Sequence, residues 1–280
     1  MKKFDNSVAV VTGAGSGIGR SLARLLAQHG AHVAICDVDA AGLNETQQII
    51  EKQNGRVHAT AVDVSNREAV FDYADKIKSE IGPVNLVINN AGVGLASGTF
   101  QQTTIEEFEW LMGINFSGVL YGTKAFLPQM ENASWGHIVN ISSLFGLVGV
   151  PEQTAYNASK FAVRGLTEAL RQELELCNSN ISCTSVHPGG VKTNIARNAR
   201  LGENAGDAGA LLSGKNADNF DKLARTSADS AALQILQAVV NNKRRLLIGK
   251  DAKILDWVQR HFPNHYQRVV KWALKDLVSN

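Results

Sequence analysis

Seven short apolar runs recur along the chain, most of them followed by a stretch of helix length. They are Ser7–Thr12, His32–Cys36, Val57–Ala61, Val84–Asn89, His137–Ile141, Ile181–His187 and Leu246–Gly249. Several are apolar throughout rather than at alternate positions, as strands covered on both faces must be. Ile18–His29 follows a glycine-rich turn. Ser65 with Glu68 has the spacing of a capping box ahead of a helix over Asn66–Glu80, and Thr104 with Glu107 repeats that spacing. Seven strands alternating with six helices predict one α/β domain, a doubly wound, mostly parallel sheet with helices on both faces. No internal repeat or linker divides the chain. The domain is expected to span 1–250, with a glycine- and alanine-rich lid at 189–226. Residues 251–280 read as an amphipathic helical extension, which Pro263 should break into two shorter helices.

Composition narrows the function classes. Hydrophobic residues make up 44% and charged residues 19%, enough apolar material for a sizeable core. The net charge of +2 is too balanced for binding nucleic acid through phosphate neutralisation. Cys36, Cys177 and Cys183 are odd in number and lack metal-ligand spacing, which argues against a disulfide framework and a metal site. The apolar run Val8–Val11 is too short for a signal segment, and nothing approaches the roughly 18 apolar residues of a membrane span. A reducing, cytoplasmic setting is the expectation.

The chemistry begins at Thr12-Gly13-Ala14-Gly15-Ser16-Gly17-Ile18-Gly19, between the first strand and the first helix. Glycines there let the backbone turn sharply and let a pyrophosphate approach without meeting a Cβ, while the helix N-terminus offers free N–H groups. Asp37, at the end of the second strand, can accept hydrogen bonds from both ribose hydroxyls of an adenosine and would repel a 2′-phosphate. Like charges about 4 Å apart at an effective dielectric near 20 cost on the order of 4 kcal/mol. Neither Ser16 nor Val38 is basic, so NAD is favoured over NADP; Arg20 is the residue that could reverse that preference.

In order along the chain stand Thr12–Gly19, Asp63-Val64, Asn89-Asn90-Ala91-Gly92, Asn115, Ser143, Tyr156-Asn157-Ala158-Ser159-Lys160, and Pro188-Gly189 with Val191 and Thr193. This series resembles the short-chain dehydrogenase/reductase family over residues 6–250. The resemblance implies a Rossmann-type fold and an oxidoreductase passing a hydride between NAD(H) and a secondary alcohol or ketone. It implies that Tyr156 exchanges a proton with the substrate oxygen, that Ser143 orients that oxygen, and that Asn115 holds a water linking Lys160 to solvent. Lys160 would bias the phenol and hold the nicotinamide ribose. Being four apart on a helix, Tyr156 and Lys160 share a face. Lowering a phenol from about 10 to about 7 takes roughly 4 kcal/mol, an order that an ammonium and a positive nicotinamide ring can supply. The cofactor contacts implied are Gly13, Ser16, Gly17, Ile18, Gly19, Asp37, Asp63, Val64, Asn90, Ala91, Gly92, Tyr156, Lys160, Pro188, Gly189, Val191 and Thr193. His187 ends a strand and reads as a structural histidine, and Ser142 should face away from Ser143.

The substrate is less constrained. Val93, Leu95, Phe145, Leu147, Val148 and Val150, with Leu211, Leu212 and Phe220 in the lid, suggest a lipophilic alcohol or ketone. Arg197 and Arg200 stand near the start of the lid without forming a cluster for an anionic substrate. The tail either packs on the body or a neighbouring subunit, or rests on a membrane surface through its aromatic and basic residues. The resemblance also implies a homodimer or homotetramer built on the helices carrying Asn115 and Tyr156. A carbonyl reductase using NADP(H), or a cofactor-binding sensor or scaffold with little catalysis, are the alternatives.

Overall fold

β1 (Val8–Thr12) lies inside a seven-stranded sheet whose neighbours were set by crossover helices rather than by hairpins. The other strands are β2 (His32–Asp37), β3 (Arg56–Ala61), β4 (Leu86–Asn89), β5 (Gly136–Ile141), β6 (Ile181–Pro188) and β7 (Arg245–Ile248). Their spatial order is β7-β6-β5-β4-β1-β2-β3, and every pairing is parallel. The chain reverses direction across the sheet between β1 and β4, so a crevice opens there at the carboxyl ends of the strands, where ligands of such folds bind. The structure is a computed structural model and describes residues 1–131, 133–205 and 224–271. Gly206, Gly209, Gly214, Leu211, Leu212 and Phe220 of the lid, and Trp272, Leu274 and Lys275 of the tail, lie outside the described residues.

Both faces of the sheet are buried except at the edge strand β3, which accounts for the uninterrupted apolar runs. Successive side chains alternate: Ala9, Val11, Val33, Ile35, Leu86 and Ile88 join one core, and Val10, Ala34, Cys36 and Val87 join the other. α1 (Gly17–Gln28) and α7 (Ala228–Val240) cover the first face, with Leu22, Leu26, Ile235 and Leu236 fully buried. α3 (Arg67–Glu80), α5 (Gly118–Met130) and α6 (Thr154–Leu176) cover the second. Each fully buried aliphatic side chain contributes roughly 1.5–3 kcal/mol. A buried polar network crosses this second face. The Asn89 amide donates to Asn140 Oδ1 (2.8 Å) and the Asn140 amide to Thr167 Oγ1 (3.0 Å), tying β4 and β5 to α6.

Helix starts follow side-chain chemistry. Thr104 and Glu107 form the expected capping box on α4 (Ile105–Met112), with both reciprocal bonds made. Ser65 and Glu68 do not. Asn66 is the N-cap of α3 and accepts from the Ala69 N–H, while the Asp63 carboxylate takes both the amide and the hydroxyl of Ser65. A carboxylate two residues away outcompeted the helix for that hydroxyl. α2 (Ala40–Glu51) is capped by Asp39 and α7 by Ser227.

The extension packs on the body. α8 (Lys250–His261) ends just before Pro263, and helical residues resume over 266–271. Ala252, Leu255, Tyr266 and Val270 cover Leu144, Leu147 and Val148. Among the described residues no helix is long and apolar enough to cross a membrane.

Candidate active site

The glycine-rich turn is shaped by close approach. Gly13 and Gly17 have positive φ (65° and 54°), and a Cβ on Gly13 would lie 2.7 Å from the Ala91 Cα. Asn90 holds this turn from below, its amide donating to the carbonyls of Thr12 (2.9 Å) and Gly13 (3.0 Å). Thr12 Oγ1 in turn accepts the N–H groups of Asn90 and Ala91. α1 opens without a side-chain cap from Ser16, unlike α2, α3, α4 and α7, and without the acidic first-turn residue of α3, α4 and α7. Its free N–H groups and partial positive charge therefore face an open, glycine-walled cradle, suited to a pyrophosphate. The Thr193 side chain lies beside it, with Cγ2 3.3 Å from where a Gly17 Cβ would stand.

Asp37 closes one end of the cradle. Its Oδ2 accepts the Gly15 N–H at 2.8 Å and its Oδ1 the Asp39 N–H at 3.0 Å, so the carboxylate is fixed at the end of β2. Arg20 is engaged elsewhere. Its guanidinium donates to the carbonyls of Gly15 and Gly42, to Glu45 (2.8 Å) and to Thr46 Oγ1 (3.0 Å). It braces the turn against α2. Asp63 is exposed and Val64 buried at the end of the next strand.

Across the crevice, four side chains named from the sequence come together. Ser143 follows β5 and caps a short 3₁₀ turn, accepting the Phe145 N–H at 3.1 Å. That leaves its own O–H free to donate, and a hydrogen bond links it to Tyr156. Lys160 Nζ lies 5.5 Å from the centre of the Tyr156 ring and donates to the Ile141 carbonyl at 3.2 Å. Both Lys160 Nζ and Asn115 Oδ1 approach Gly92, at 3.4 and 3.2 Å from the place of a Cβ there. Asn115 is fully buried in a π-helical turn over 113–117, and its amide bonds both main-chain groups of Val93 (2.8 and 2.9 Å). Burial governs the titration of this centre. It pushes the Tyr156 phenol up to about 12, a hydrogen bond with Ser143 opposing, and holds Lys160 down to about 8. These surroundings raise the phenol rather than lowering it, because desolvation outweighs the hydrogen bond with Ser143.

Two supports were not assigned from the sequence. Asn157 accepts the Val150 N–H and donates to the carbonyls of Phe145 (2.7 Å) and Val148 (2.9 Å), stapling the 145–150 loop to α6 beside Tyr156. An asparagine inside a helix is a poor helix former, and that misfit was the available signal. Ser142 faces away, as expected, and donates to the Lys160 carbonyl at 2.7 Å. Phe145 stands edge-on to Tyr156 with ring centres 5.9 Å apart. Of the apolar residues expected near the substrate, Val93 and Phe145 are partly open, while Leu95, Leu147, Val148 and Val150 are buried.

His187 is structural. It is fully buried, with its ring bonded to the Ser143 carbonyl (3.1 Å) and Ser185 Oγ (3.0 Å). Burial holds it down to about 3, and His137, also buried, to about 3 as well. The unfolded chain takes up these protons near pH 6.5 while the folded chain refuses them, so their contribution is intact above pH 6.5 and is lost as pH falls towards 3. Each unit of separation is worth about 1.4 kcal/mol, so stability should fall by several kcal/mol on that path. Urea unfolding at pH 7 and pH 4.5 tests this: the pH-dependent loss should shrink in His187→Asn, and an unchanged loss would refute the assignment.

These features together define a nicotinamide-dependent oxidoreductase of the doubly wound class. Residues 7–204 match the short chain dehydrogenase family, and the chain belongs to the short-chain dehydrogenase/reductase family. It is 44% identical over 271 residues to SadH of Mycobacterium tuberculosis, which is named as an oxidoreductase; the match covers 96% of each chain. A short-chain dehydrogenase/reductase from Burkholderia phymatum in complex with NAD superposes with a TM-score of 0.83 at 32% identity, covering 93% of this chain and 95% of the other. A metagenomic short-chain oxidoreductase in complex with NADP gives 0.69 at 27% identity, covering 87% and 97%. The chain is an oxidoreductase of this family acting on CH–OH groups with a nicotinamide cofactor.

Proposed function

We propose that this enzyme interconverts a lipophilic secondary alcohol and its ketone, with NAD(H) preferred over NADP(H). The observation that carries the reading is the meeting of Ser143, Tyr156 and Lys160 across the crevice from an uncapped, glycine-walled helix N-terminus. When bound, the nicotinamide gives or takes the hydride and, oxidised, adds a positive charge beside the phenol. The rest falls to the chain. Tyr156 holds the proton that the substrate oxygen loses or gains. Ser143, whose oxygen is already bonded by the Phe145 N–H, turns its hydroxyl proton towards the substrate oxygen. An ammonium within about 5 Å of a phenolate, at an effective dielectric near 20, is worth on the order of 3 kcal/mol, which is the help Lys160 offers. The Asn115 amide is anchored on both main-chain groups of Val93, which fixes the residue where it would meet a water on the proton's way out.

Gly13, Ser16, Gly17, Ile18 and Gly19 would hold the pyrophosphate, and Asp37 the adenosine ribose. Asp63, Val64, Asn90, Ala91 and Gly92 would surround the adenosine. Pro188, Gly189, Val191 and Thr193 would line the nicotinamide. The fixed carboxylate of Asp37 and the engagement of Arg20 with Glu45 both support NAD. Phe161 stands exposed on α6, an apolar residue of the kind a homodimer or homotetramer interface would cover. A panel of secondary alcohols and ketones, run in parallel with NAD(H) and NADP(H), tests the reading. Turnover of apolar members with NAD(H) is the expected result. Nucleotide binding with no turnover anywhere on the panel would favour a sensor or scaffold instead.

A further inference from the structure

The extension after β7 does more than cover apolar surface. Gly249, at a φ of +98°, turns the chain into α8 and delivers Asp251 to the loop that follows β6. The Asp251 carboxylate accepts the Gly190 N–H at 2.6 Å and lies against Gly189, where a side chain would collide with it. On its other flank the same extension reaches the loop that follows the neighbouring strand, β5. Tyr266 Oη accepts the Gly149 N–H at 3.3 Å, and Leu255 and Val270 press on the segment that begins at Leu144, next to Ser143. Asp251, Leu255, Tyr266 and Val270 lie beyond the residues matched to the family, 7–204, while their partners lie within them.

We propose that the extension is a clamp on the two loops that follow β5 and β6, and that Asp251 is the positioning residue for the cofactor-facing loop, Pro188–Thr193. The inference rests on the reading that this loop lines the nicotinamide. Asp251 touches neither cofactor nor substrate. It fixes the main chain of Gly190, from which Val191 and Thr193 follow, so the loop is ordered before the nucleotide arrives. Such preorganisation spares the ordering cost on binding.

NADH and NADPH fluorescence titrations of the whole chain test this, with melting temperature measured alongside. Asp251→Ala should weaken binding of the preferred nucleotide about tenfold, the scale of one charge-assisted hydrogen bond. Asp251→Asn keeps an acceptor at the same reach and should bind within about threefold of the parent. Deuterium exchange over 188–193 should speed up in Asp251→Ala and stay near the parent rate in Asp251→Asn. Should the alanine variant fail to fold, Asp251→Ser takes its place. A serine suits the first turn of a helix, but its hydroxyl is one carbon too short to reach Gly190. Parent-like affinity and exchange in the alanine or serine variant would overturn the clamp while leaving the functional reading intact. A parent chain that binds neither nucleotide would overturn that reading, and the clamp with it.

Discussion

Tyr156→Phe should lower kcat by about 10²–10⁴, the range for a lost acid–base group, while leaving nucleotide affinity and melting temperature near those of the parent. The substitution removes one oxygen and keeps the ring. That ring packs against the cluster of Leu95, Leu111 and Ala155 and stands edge-on to Phe145, and phenylalanine preserves those contacts. The cradle at Gly13–Gly19 and the carboxylate of Asp37 belong to other elements and stay as they are. What disappears is the proton carrier and the partner of the Ser143 hydroxyl. Because burial already pushes the phenol up to about 12, the oxygen is costly to ionise in the free protein. A phenol that stays protonated can give its proton to a ketone oxygen, and to take one from an alcohol it is helped by a nearby positive charge. Steady-state kinetics with nucleotide titration separate the effects: a kcat within threefold of the parent would remove Tyr156 from the chemistry.

Where a residue's surroundings are set locally, the sequence was a good guide. The strands were legible because both sheet faces are buried, so apolar content alone marked them, and β3 to β6 fall within a residue or two of the expected bounds. The cradle was legible because positive φ and close approach demand glycine at fixed offsets from a strand and a helix. Misreadings arose where two polar groups competed for one partner. Ser65 looked like a cap, but Asp63 takes its hydroxyl and Asn66 caps the helix instead. Arg20 looked able to meet a phosphate, yet its guanidinium lies among Gly15, Gly42, Glu45 and Thr46, which only the packing of α1 on α2 brings within reach. Contacts spanning the whole chain were beyond the sequence altogether. Nothing in the spacing of Asp251 and Gly190, 61 residues apart, announces their bond. The buried pair Asn89 and Asn140 likewise meets only because β4 and β5 are neighbours.

The charge at position 37 should decide which nucleotide is used, and Asp37→Asn isolates that charge. Asparagine keeps the shape and one acceptor oxygen for the Gly15 N–H, so the glycine turn retains its tether, while its NH2 takes the place of the oxygen that accepts from Asp39; alanine would remove both acceptors. For NADP(H), the parent opposes a 2′-phosphate with a fixed carboxylate. At about 4 Å and an effective dielectric near 20 that repulsion is on the order of 4 kcal/mol per unit charge, close to 10³ in affinity. For NAD(H), the carboxylate accepts from ribose hydroxyls, and hydrogen bonds to a charged group are worth roughly 1.5–3 kcal/mol, or about 10- to 100-fold. The two effects act in opposite directions on the two nucleotides, so the ratio of their affinities should move by about 10³ or more towards NADP(H). Raising the salt concentration should narrow the parent's preference and change that of Asp37→Asn less, because only the parent's preference is Coulombic. Titrating both nucleotides into both proteins at two ionic strengths gives the answer. A ratio that stays put would mean the 2′ position never meets Asp37, and the adenosine would have to lie elsewhere along the crevice.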